Sequence, residues 1–157
     1  DTARYFMDFV KDESCGHCVP CRVGTKRMRE LLQKIVAGKG EEEDLEMLEI
    51  LANTIKDTAM CGLGQTAPNP VLTTMKYFRD EYEAHVFHRT CPAHVCKDML
   101  TYHIDPNKCR GCTLCARNCP VEAISGSVKQ PHSIDVEKCI RCGTCISNCK
   151  FGAISVQ

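Results

Sequence analysis

The strongest constraint on this chain is a cysteine spacing that occurs twice between residues 109 and 149. Each copy reads C-x2-C-x2-C-x3-C, where x is any other residue. The copies comprise Cys109, Cys112, Cys115 and Cys119, and then Cys139, Cys142, Cys145 and Cys149. Three thiolates at this spacing can wrap one corner of a cubane [4Fe–4S] cluster, and the fourth thiolate must come from a distance. The spacing therefore predicts two such clusters.

The two copies are expected to exchange their fourth ligands, as in bacterial ferredoxins that hold two clusters. Cluster one then has the ligands Cys109, Cys112, Cys115 and Cys149, and cluster two has Cys139, Cys142, Cys145 and Cys119. Zinc is the main alternative, because paired C-x2-C knuckles also bind zinc. A zinc ion needs only four ligands, so it has no use for the third C-x2-C step and the x3-C that follows it in both copies.

An internal repeat of thirty residues surrounds these cysteines. The run from Ile104 to Cys109 matches the run from Ile134 to Cys139, and Ala-Ile-Ser recurs at 123–125 and 153–155. Each repeat predicts a short strand, a cluster loop, a helical turn after the last cysteine and a returning strand. So small a unit cannot bury a core alone. We therefore expect two units to pack about a pseudo-twofold axis, with the clusters as much of the core.

The first 86 residues carry apolar side chains at helical spacing, which predicts a four-helix bundle. The predicted helices cover residues 2–13, residues 24–37, the segment after the acidic run 41–44, and Asn69 to about Val86. The first helix is expected to bury Tyr5, Phe6, Phe9 and Val10, and the last to continue through Val71, Met75, Phe78 and Tyr82. The predicted fold class is thus mainly α followed by α+β.

A third cysteine triplet lies just before the second predicted helix. Cys15, Cys18 and Cys21 repeat the C-x2-C-x2-C spacing without the closing x3-C. A solitary Cys61 follows the third helix, between Met60 and a Gly-Leu-Gly run that allows close backbone approach to a bulky ligand. We predict that these four cysteines hold a third [4Fe–4S] cluster. A zinc site and unligated buried thiols are the alternatives.

Two cysteines remain after these assignments, Cys91 and Cys96, in a segment with His85, His88 and His94. Imidazole and thiolate together are a zinc-type ligand set. We predict a zinc site on Cys91, Cys96 and His85, with His88 and His94 competing for the fourth place. Merely packed thiols are an equally weighted alternative, and a disulfide is the least favoured in a reducing cell. The predicted domains are 1–86, a linker or hinge at 87–99, and 100–157.

Composition and motifs exclude several classes of function. The formal net charge is zero, so no nucleic-acid partner is expected. No apolar run approaches the ~18 residues of a membrane span. Fourteen cysteines without a recognisable signal peptide favour a reducing compartment and a cytoplasmic location. No Ser/His/Asp set, paired carboxylates or phosphate loop is evident, so no catalytic residue is predicted.

The triplet of Cys15, Cys18 and Cys21 also carries a family resemblance. The run ESCGHCVPCRVG at 13–24, together with Cys61-Gly-Leu-Gly, resembles the iron–sulfur region of the flavoprotein, NADH-binding subunit of NADH dehydrogenases. With the appended two-cluster ferredoxin module, the chain is similar to the corresponding subunit of NAD(P)-reducing and electron-bifurcating iron hydrogenases. NAD-linked formate dehydrogenases contain a similar subunit. The resemblance implies that FMN and NAD(P) bind upstream of Asp1, so the chain is expected to be a piece of a longer protein.

The expected function is therefore electron transfer within an NAD(P)H-linked oxidoreductase complex. The resemblance implies a hydrogenase-type catalytic subunit and a small [2Fe–2S] subunit as partners, and soluble ferredoxin as a further one. The three clusters would carry electrons between the upstream flavin and these partners. The alternative hypothesis is a structural iron–sulfur module that docks subunits and has no obligatory redox role.

Overall fold

The computed structural model describes residues 2–156, which fall in two compact units. The units are Asp1–Met99 and Leu100–Gln157. Residues 87–99, for which the sequence suggested a linker, are grouped with the first unit. Residues 2–156 contain no helix with the length and hydrophobicity of a membrane span.

The first unit is helical. Its α-helices are α1 (Thr2–Glu13), α2 (Thr25–Val36), α3 (Glu42–Thr58), α4 (Gly62–Thr66), α5 (Asn69–Tyr77) and α6 (Arg79–Glu83). Two π-helical turns, Pro20–Gly24 and Ala84–His88, and a 3-10 turn, Lys97–Met99, complete it. The largest fully buried apolar side chains come from α1, α2, α3 and α5, namely Met7, Met28, Leu45, Leu48, Ile55 and Val71. Mainly helical structure in this part of the chain is therefore confirmed.

The predicted buried face of α1 is wrong. Tyr5, Phe6 and Phe9 are 68%, 42% and 54% exposed, whereas Ala3, Met7 and Val10 are buried. At 3.6 residues per turn, positions 3, 7 and 10 lie on one side of a helix, and positions 5, 6 and 9 lie on the opposite side. Aromatic character drew the prediction to the wrong side, because helical spacing alone allows either one. Only Val10 was assigned correctly.

The last predicted helix is also not continuous. Phe78 has φ −132° and ψ 42°, a non-helical conformation that ends α5 and precedes α6. After this break, the Tyr82 hydroxyl lies 2.9 Å from Thr74 Oγ1, one hydroxyl donating to the other. The hydrogen bond satisfies the largely buried Tyr82 hydroxyl. The chain then continues into the π-helical turn Ala84–His88, in which His85 and Val86 are buried.

The second unit contains two short antiparallel strand pairs. Strand β1 (Tyr102–Ile104) pairs with β4 (Ile154–Val156), and β2 (Ile124–Ser125) pairs with β3 (Ser133–Ile134). The pair Ile104–Ile154 of the first sheet therefore corresponds to the pair Ile134–Ile124 of the second, thirty residues away. Each repeat provides one strand to each sheet, so neither half forms a sheet alone. This arrangement confirms a ferredoxin-like second unit.

The helical turns of the second unit lie earlier than predicted. Helices α7 (Leu114–Arg117) and α8 (Thr144–Asn148) each contain the third cysteine of a copy and end before the fourth. The reason is the x3 spacing, which spans one helical turn and so places Cys115 and Cys119 about one turn apart. In both halves the fourth cysteine accepts a backbone hydrogen bond at 3.3 Å, Cys119 from Ala123 and Cys149 from Ala153.

Candidate iron–sulfur and metal sites

In the helical unit, the four predicted ligands of the third cluster lie on two loops that contact each other. The first is the triplet loop, where Cys18 and Cys21 are buried and Cys15 is exposed. The second is the loop after α3, which carries the exposed Cys61. Gly64 lies directly against Cys21, since a Cβ built on Gly64 would be 3.3 Å from Cys21 Cβ and 2.6 Å from Ala59 Cβ. A side chain at position 64 would separate the two loops.

Hydrogen bonds join these loops and favour thiolate character. The backbone N–H of Met60, next to Cys61, is the main cause that lowers the pKa of Cys18. Ser14 Oγ lies 3.3 Å from Cys21 Sγ. Iron binds the thiolate form of cysteine, and donors around sulfur tune the potential of a cluster. The donor set of this loop pair fits a four-thiolate cluster.

In the second unit, one pocket is lined by Cys119, Cys139, Cys142 and Cys145. These are the four predicted ligands of cluster two, including the remote one from the other half. The remaining wall is largely apolar and includes Tyr102, Ile124 and Ile134. Burial, followed by the thiol groups of Cys145, Cys139 and Cys142, raises the pKa of the Tyr102 hydroxyl. The pocket thus has the ligand number, ligand type and apolar surroundings that a cubane cluster needs.

The predicted ligands of cluster one occupy the matching positions in the other half. Cys115 is buried, and burial followed by the nearby Cys109 and Cys112 thiols raises its pKa. Cys149 is partly buried and packs against the core cluster that contains Cys115. Its sulfur accepts the Ala153 amide just as Cys119 accepts the Ala123 amide. The crossed ligand of cluster two therefore has a counterpart at the same register.

A separate group is formed by His85, Cys91 and Cys96, all three buried. One ligand atom from each lies within 4.8 Å of the others, and His85 Nε2 is 3.3 Å from Cys96 Sγ. The other ring nitrogen, Nδ1, lies 2.6 Å from the carbonyl oxygen of Glu81. A carbonyl only accepts, so Nδ1 carries the proton and Nε2 presents its lone pair toward the thiols. His88 and His94 are exposed and do not belong to this group.

The two thiols of this group differ in acidity. Burial, followed by the hydrogen bond with Cys91, raises the pKa of Cys96 to about 11. Burial acts in the same direction on Cys91, but hydrogen bonds from the backbone N–H groups of Cys96 and Val95 outweigh it and lower the pKa of Cys91. Cys96 is therefore the weaker acid of the two thiols.

Some residues at these sites were missed by the sequence reasoning. Ser14 and Met60 each immediately precede a predicted ligand, and Thr144 Oγ1 lies 3.3 Å from Cys142 Sγ. Tyr102 lines the cluster-two pocket. Their position next to a cysteine was a usable signal for the first three. Tyr102 is remote in sequence from the cysteines whose pocket it lines, so only the sheet pairing reveals it.

Residues 1–85 match the family described as the NADH-ubiquinone oxidoreductase-F iron–sulfur binding region. The chain belongs to this family. Residues 101–150 match a second family, the 4Fe-4S dicluster domain. The two matches cover the helical unit and the ferredoxin-like unit in turn, so the resemblance drawn from the cysteine motifs is confirmed.

Curated relatives of the oxidoreductase-F type are longer than this chain. The HndC subunit of the NADP-reducing hydrogenase of Solidesulfovibrio fructosivorans is 61% identical over 130 residues, which is 83% of this chain and 26% of that protein. The F-type subunit of the NADH-quinone oxidoreductase of Streptomyces coelicolor is 46% identical over 87 residues, which is 55% of this chain and 19% of that protein. The chain thus spans about a quarter or less of these relatives.

A solved structure supports the same relationship. It is an NAD+-reducing [NiFe]-hydrogenase in the H2-reduced state, with a TM-score of 0.52 and 38% identity over 54% of this chain and 14% of that chain. Together these findings show that the chain is an iron–sulfur, electron-transfer segment of oxidoreductase-F type. They also show that its relatives are subunits of larger enzyme complexes.

Proposed function

We propose that the chain relays electrons through three [4Fe–4S] clusters. The third cluster is held by Cys15, Cys18, Cys21 and Cys61 in a four-helix bundle, and clusters one and two are held by the crossed ligand sets of the ferredoxin-like unit. The observation that carries the proposal is the pocket that gathers Cys119 from one half with Cys139, Cys142 and Cys145 from the other. Clusters held by these thiolates would supply one-electron transfer at potentials set by burial and by hydrogen bonds to sulfur.

The electron donor and acceptor are inferred from the relatives. HndC is a subunit of an NADP-reducing hydrogenase, so the upstream part of this protein would bind FMN and NAD(P). The electrons would then pass to a hydrogenase-type catalytic subunit, a small [2Fe–2S] subunit or soluble ferredoxin in the cytoplasm. The chemistry of this segment is the same if the partner is an NAD-linked formate dehydrogenase.

The test is iron content combined with reduction of each cluster. Three four-iron clusters correspond to about twelve iron and twelve sulfide per chain after anaerobic reconstitution. Cys61→Ser should lower the iron content by about four while the two ferredoxin-type signals persist in electron paramagnetic resonance (EPR). Iron near eight in the unmodified chain would contradict the third cluster. Clusters that dithionite and stronger reductants cannot reduce would favour the docking role over the relay.

We also propose a structural zinc site on His85, Cys91 and Cys96. Tetrahedral zinc with Zn–S bonds of ~2.3 Å needs ligand atoms about 3.8 Å apart. The 4.8 Å grouping is therefore near the required size and closes by small side-chain rotations. The bond from His85 Nδ1 to the Glu81 carbonyl fixes the tautomer, as in many zinc sites. Neither exposed histidine is in the group, so a water molecule or an external ligand would fill the fourth place.

Metal analysis of two matched histidine variants tests the zinc site. The unmodified chain should contain about one zinc after anaerobic purification. His85→Ala should lower zinc at least several-fold, whereas His94→Ala, which changes an exposed histidine in the same segment, should not. Less than half an equivalent of zinc, with both thiols open to alkylation, would instead show that Cys91 and Cys96 are packed thiols.

A further inference from the structure

One buried histidine of the ferredoxin-like unit has a nitrogen without a partner. His132 is only 4% exposed. Its Nδ1 lies 3.1 Å from the carbonyl oxygen of Gln130. Its Nε2 is buried and has no hydrogen-bond partner among residues 2–156. Leaving a buried polar atom unsatisfied destabilises a fold, so the pattern points to a group that binds there when the protein holds its metal clusters.

The internal repeat shows what kind of group this is. Extending the thirty-residue match by two positions aligns His132 with Tyr102. Tyr102 lines the pocket of cluster two, and its hydroxyl is 3.6 Å from the Cβ position of Gly143 in that cluster loop. Strand β1 begins at Tyr102, and strand β3 begins directly after His132. Strand β1 pairs with β4 and β3 pairs with β2, and the two pairings have equivalent registers in the two halves. His132 therefore stands beside cluster one as Tyr102 stands beside cluster two.

A second observation places His132 near cluster one independently of the repeat. The segment before it packs on Gly111, which lies between Cys109 and Cys112. Lys129 N–H donates to the Gly111 carbonyl at 3.0 Å, and a Cβ on Gly111 would be 2.4 Å from Gln130 N. The His132 ring itself covers Gly126, where a Cβ would be 2.6 Å from the ring. The same loop thus holds the cluster-one segment and fixes the orientation of the ring.

We propose that His132 Nε2 donates a hydrogen bond to a sulfur atom of cluster one and raises the reduction potential of that cluster. This proposal rests on the proposed ligation of cluster one by Cys109, Cys112, Cys115 and Cys149. The Gln130 carbonyl only accepts, so Nδ1–H donates to it, and a bond from Nε2 to the cluster uses the N–H of the second ring nitrogen. An N–H donor at sulfur stabilises the added electron of the reduced cluster. Tyr102, a phenol, occupies this place at cluster two, so the two clusters differ in their tuning residue.

The test is an EPR-monitored redox titration of the complete chain and of variants at the two matched positions. His132→Phe should make reduction of cluster one roughly tenfold less favourable, ~59 mV more negative for a one-electron couple. Cluster two should be unaffected. Tyr102→Phe is the control, because it should leave cluster one unchanged. His132→Gln restores an N–H donor and should recover part of the shift.

A measurement on the unmodified chain covers the case in which a variant fails to assemble. With 15N-labelled histidine, electron spin echo modulation of reduced cluster one should show weak coupling to a ring nitrogen. Absence of that coupling, or an unchanged cluster-one potential in His132→Phe, would overturn the proposal and leave a water molecule as the partner of Nε2. Failure of the unmodified chain to form cluster one would refute the ligand assignment instead, so the two proposals fail in distinguishable ways.

Discussion

The helical unit and the ferredoxin-like unit use the same cysteine triplet with different kinds of core. In the helical unit, the largest fully buried side chains are apolar residues from the helices, including Met28, Leu48 and Ile55, while Cys15 and Cys61 are exposed. In the described part of the ferredoxin-like unit, the core group contains Leu100, Tyr102, Ile124 and Ile154 besides Cys115, and four further cysteines pack against it. The core of the helical unit is built mainly from helix side chains and includes two of its four predicted ligands, Cys18 and Cys21. Cysteines make up a larger share of the small core of the ferredoxin-like unit.

This difference in core composition determines how far the stability of each unit depends on its metal clusters. Burying apolar surface contributes about 25 cal/mol per Å², and long helices supply much of it in the first unit. The second unit has strands of two or three residues and helices of four or five. Elements this short do not bury enough surface to be stable alone. The clusters must therefore supply most of the ordering energy of the second unit.

Removal of iron should break this comparison most severely. Anaerobic chelation of the complete chain is expected to unfold residues 100–157 while α1, α2, α3 and α5 persist. Amide hydrogen exchange measured separately for peptides of the two units checks this outcome. Protection of α2 and α3 should fall by less than about tenfold, and protection of β1 and β4 should be lost. Equal loss in both units would show that the apolar core of the helical unit is insufficient without its cluster.

Replacing a crossed ligand should have a smaller, cluster-specific effect. Cys119→Ala removes one wall of the cluster-two pocket, so cluster two should be lost or converted while cluster one remains. Cys149→Ala is the matched control and should have the opposite result. Cluster-resolved EPR spectra and an iron content lower by roughly one to four atoms per chain are the measurements. If each variant lost the cluster of its own sequence neighbours, the crossed assignment would be wrong.

The cysteine spacing predicted the metal chemistry better than the helix pattern predicted the packing. C-x2-C-x2-C-x3-C specifies sulfur positions along a short loop, so local sequence is sufficient to predict a cluster there. The buried side of α1 depends on which neighbouring helix covers it, and the exposed Tyr5, Phe6 and Phe9 show that aromatic content does not reveal this. The break at Phe78, after which Tyr82 forms a hydrogen bond with Thr74, was likewise not indicated by any local signal.

The repeat was visible in the sequence, but its functional differences were not. His132 and Tyr102 occupy matching positions, yet the alignment became informative only once the sheet pairs fixed the register. His85, Cys91 and Cys96 were predicted to act together, and the structure places their ligand atoms within 4.8 Å of one another. The tautomer of His85 depends on its hydrogen bond to the Glu81 carbonyl, one helical turn away. Residue types alone do not reveal a backbone contact of this kind.

The smallest expected effect concerns two glycines in the loops of the ferredoxin-like unit. Gly111 and Gly143 both have positive φ, 63° and 78°, so alanine at either costs roughly 1 kcal/mol of left-handed strain. A Cβ added at Gly111 would also clash with the backbone, because it would lie 2.4 Å from Gln130 N. A Cβ added at Gly143 would have the Tyr102 hydroxyl as its nearest neighbour, at 3.6 Å.

Gly111→Ala should therefore destabilise the loop that carries His132 through both backbone strain and the clash with Gln130. Gly143→Ala should destabilise its loop through left-handed backbone strain only. The measurement is the urea concentration at which the visible cluster absorbance is lost, together with the potential of cluster one. Gly111→Ala is expected to lose its absorbance at lower urea than Gly143→Ala. It should also shift the potential of cluster one in the same direction as His132→Phe, because the first change displaces the imidazole from the cluster sulfur and the second removes it. If the two alanine variants had the same urea midpoint and the same cluster-one potential, the loop would have to shift at Gln130 without cost. The difference between the two halves would then lie in the His132 side chain alone.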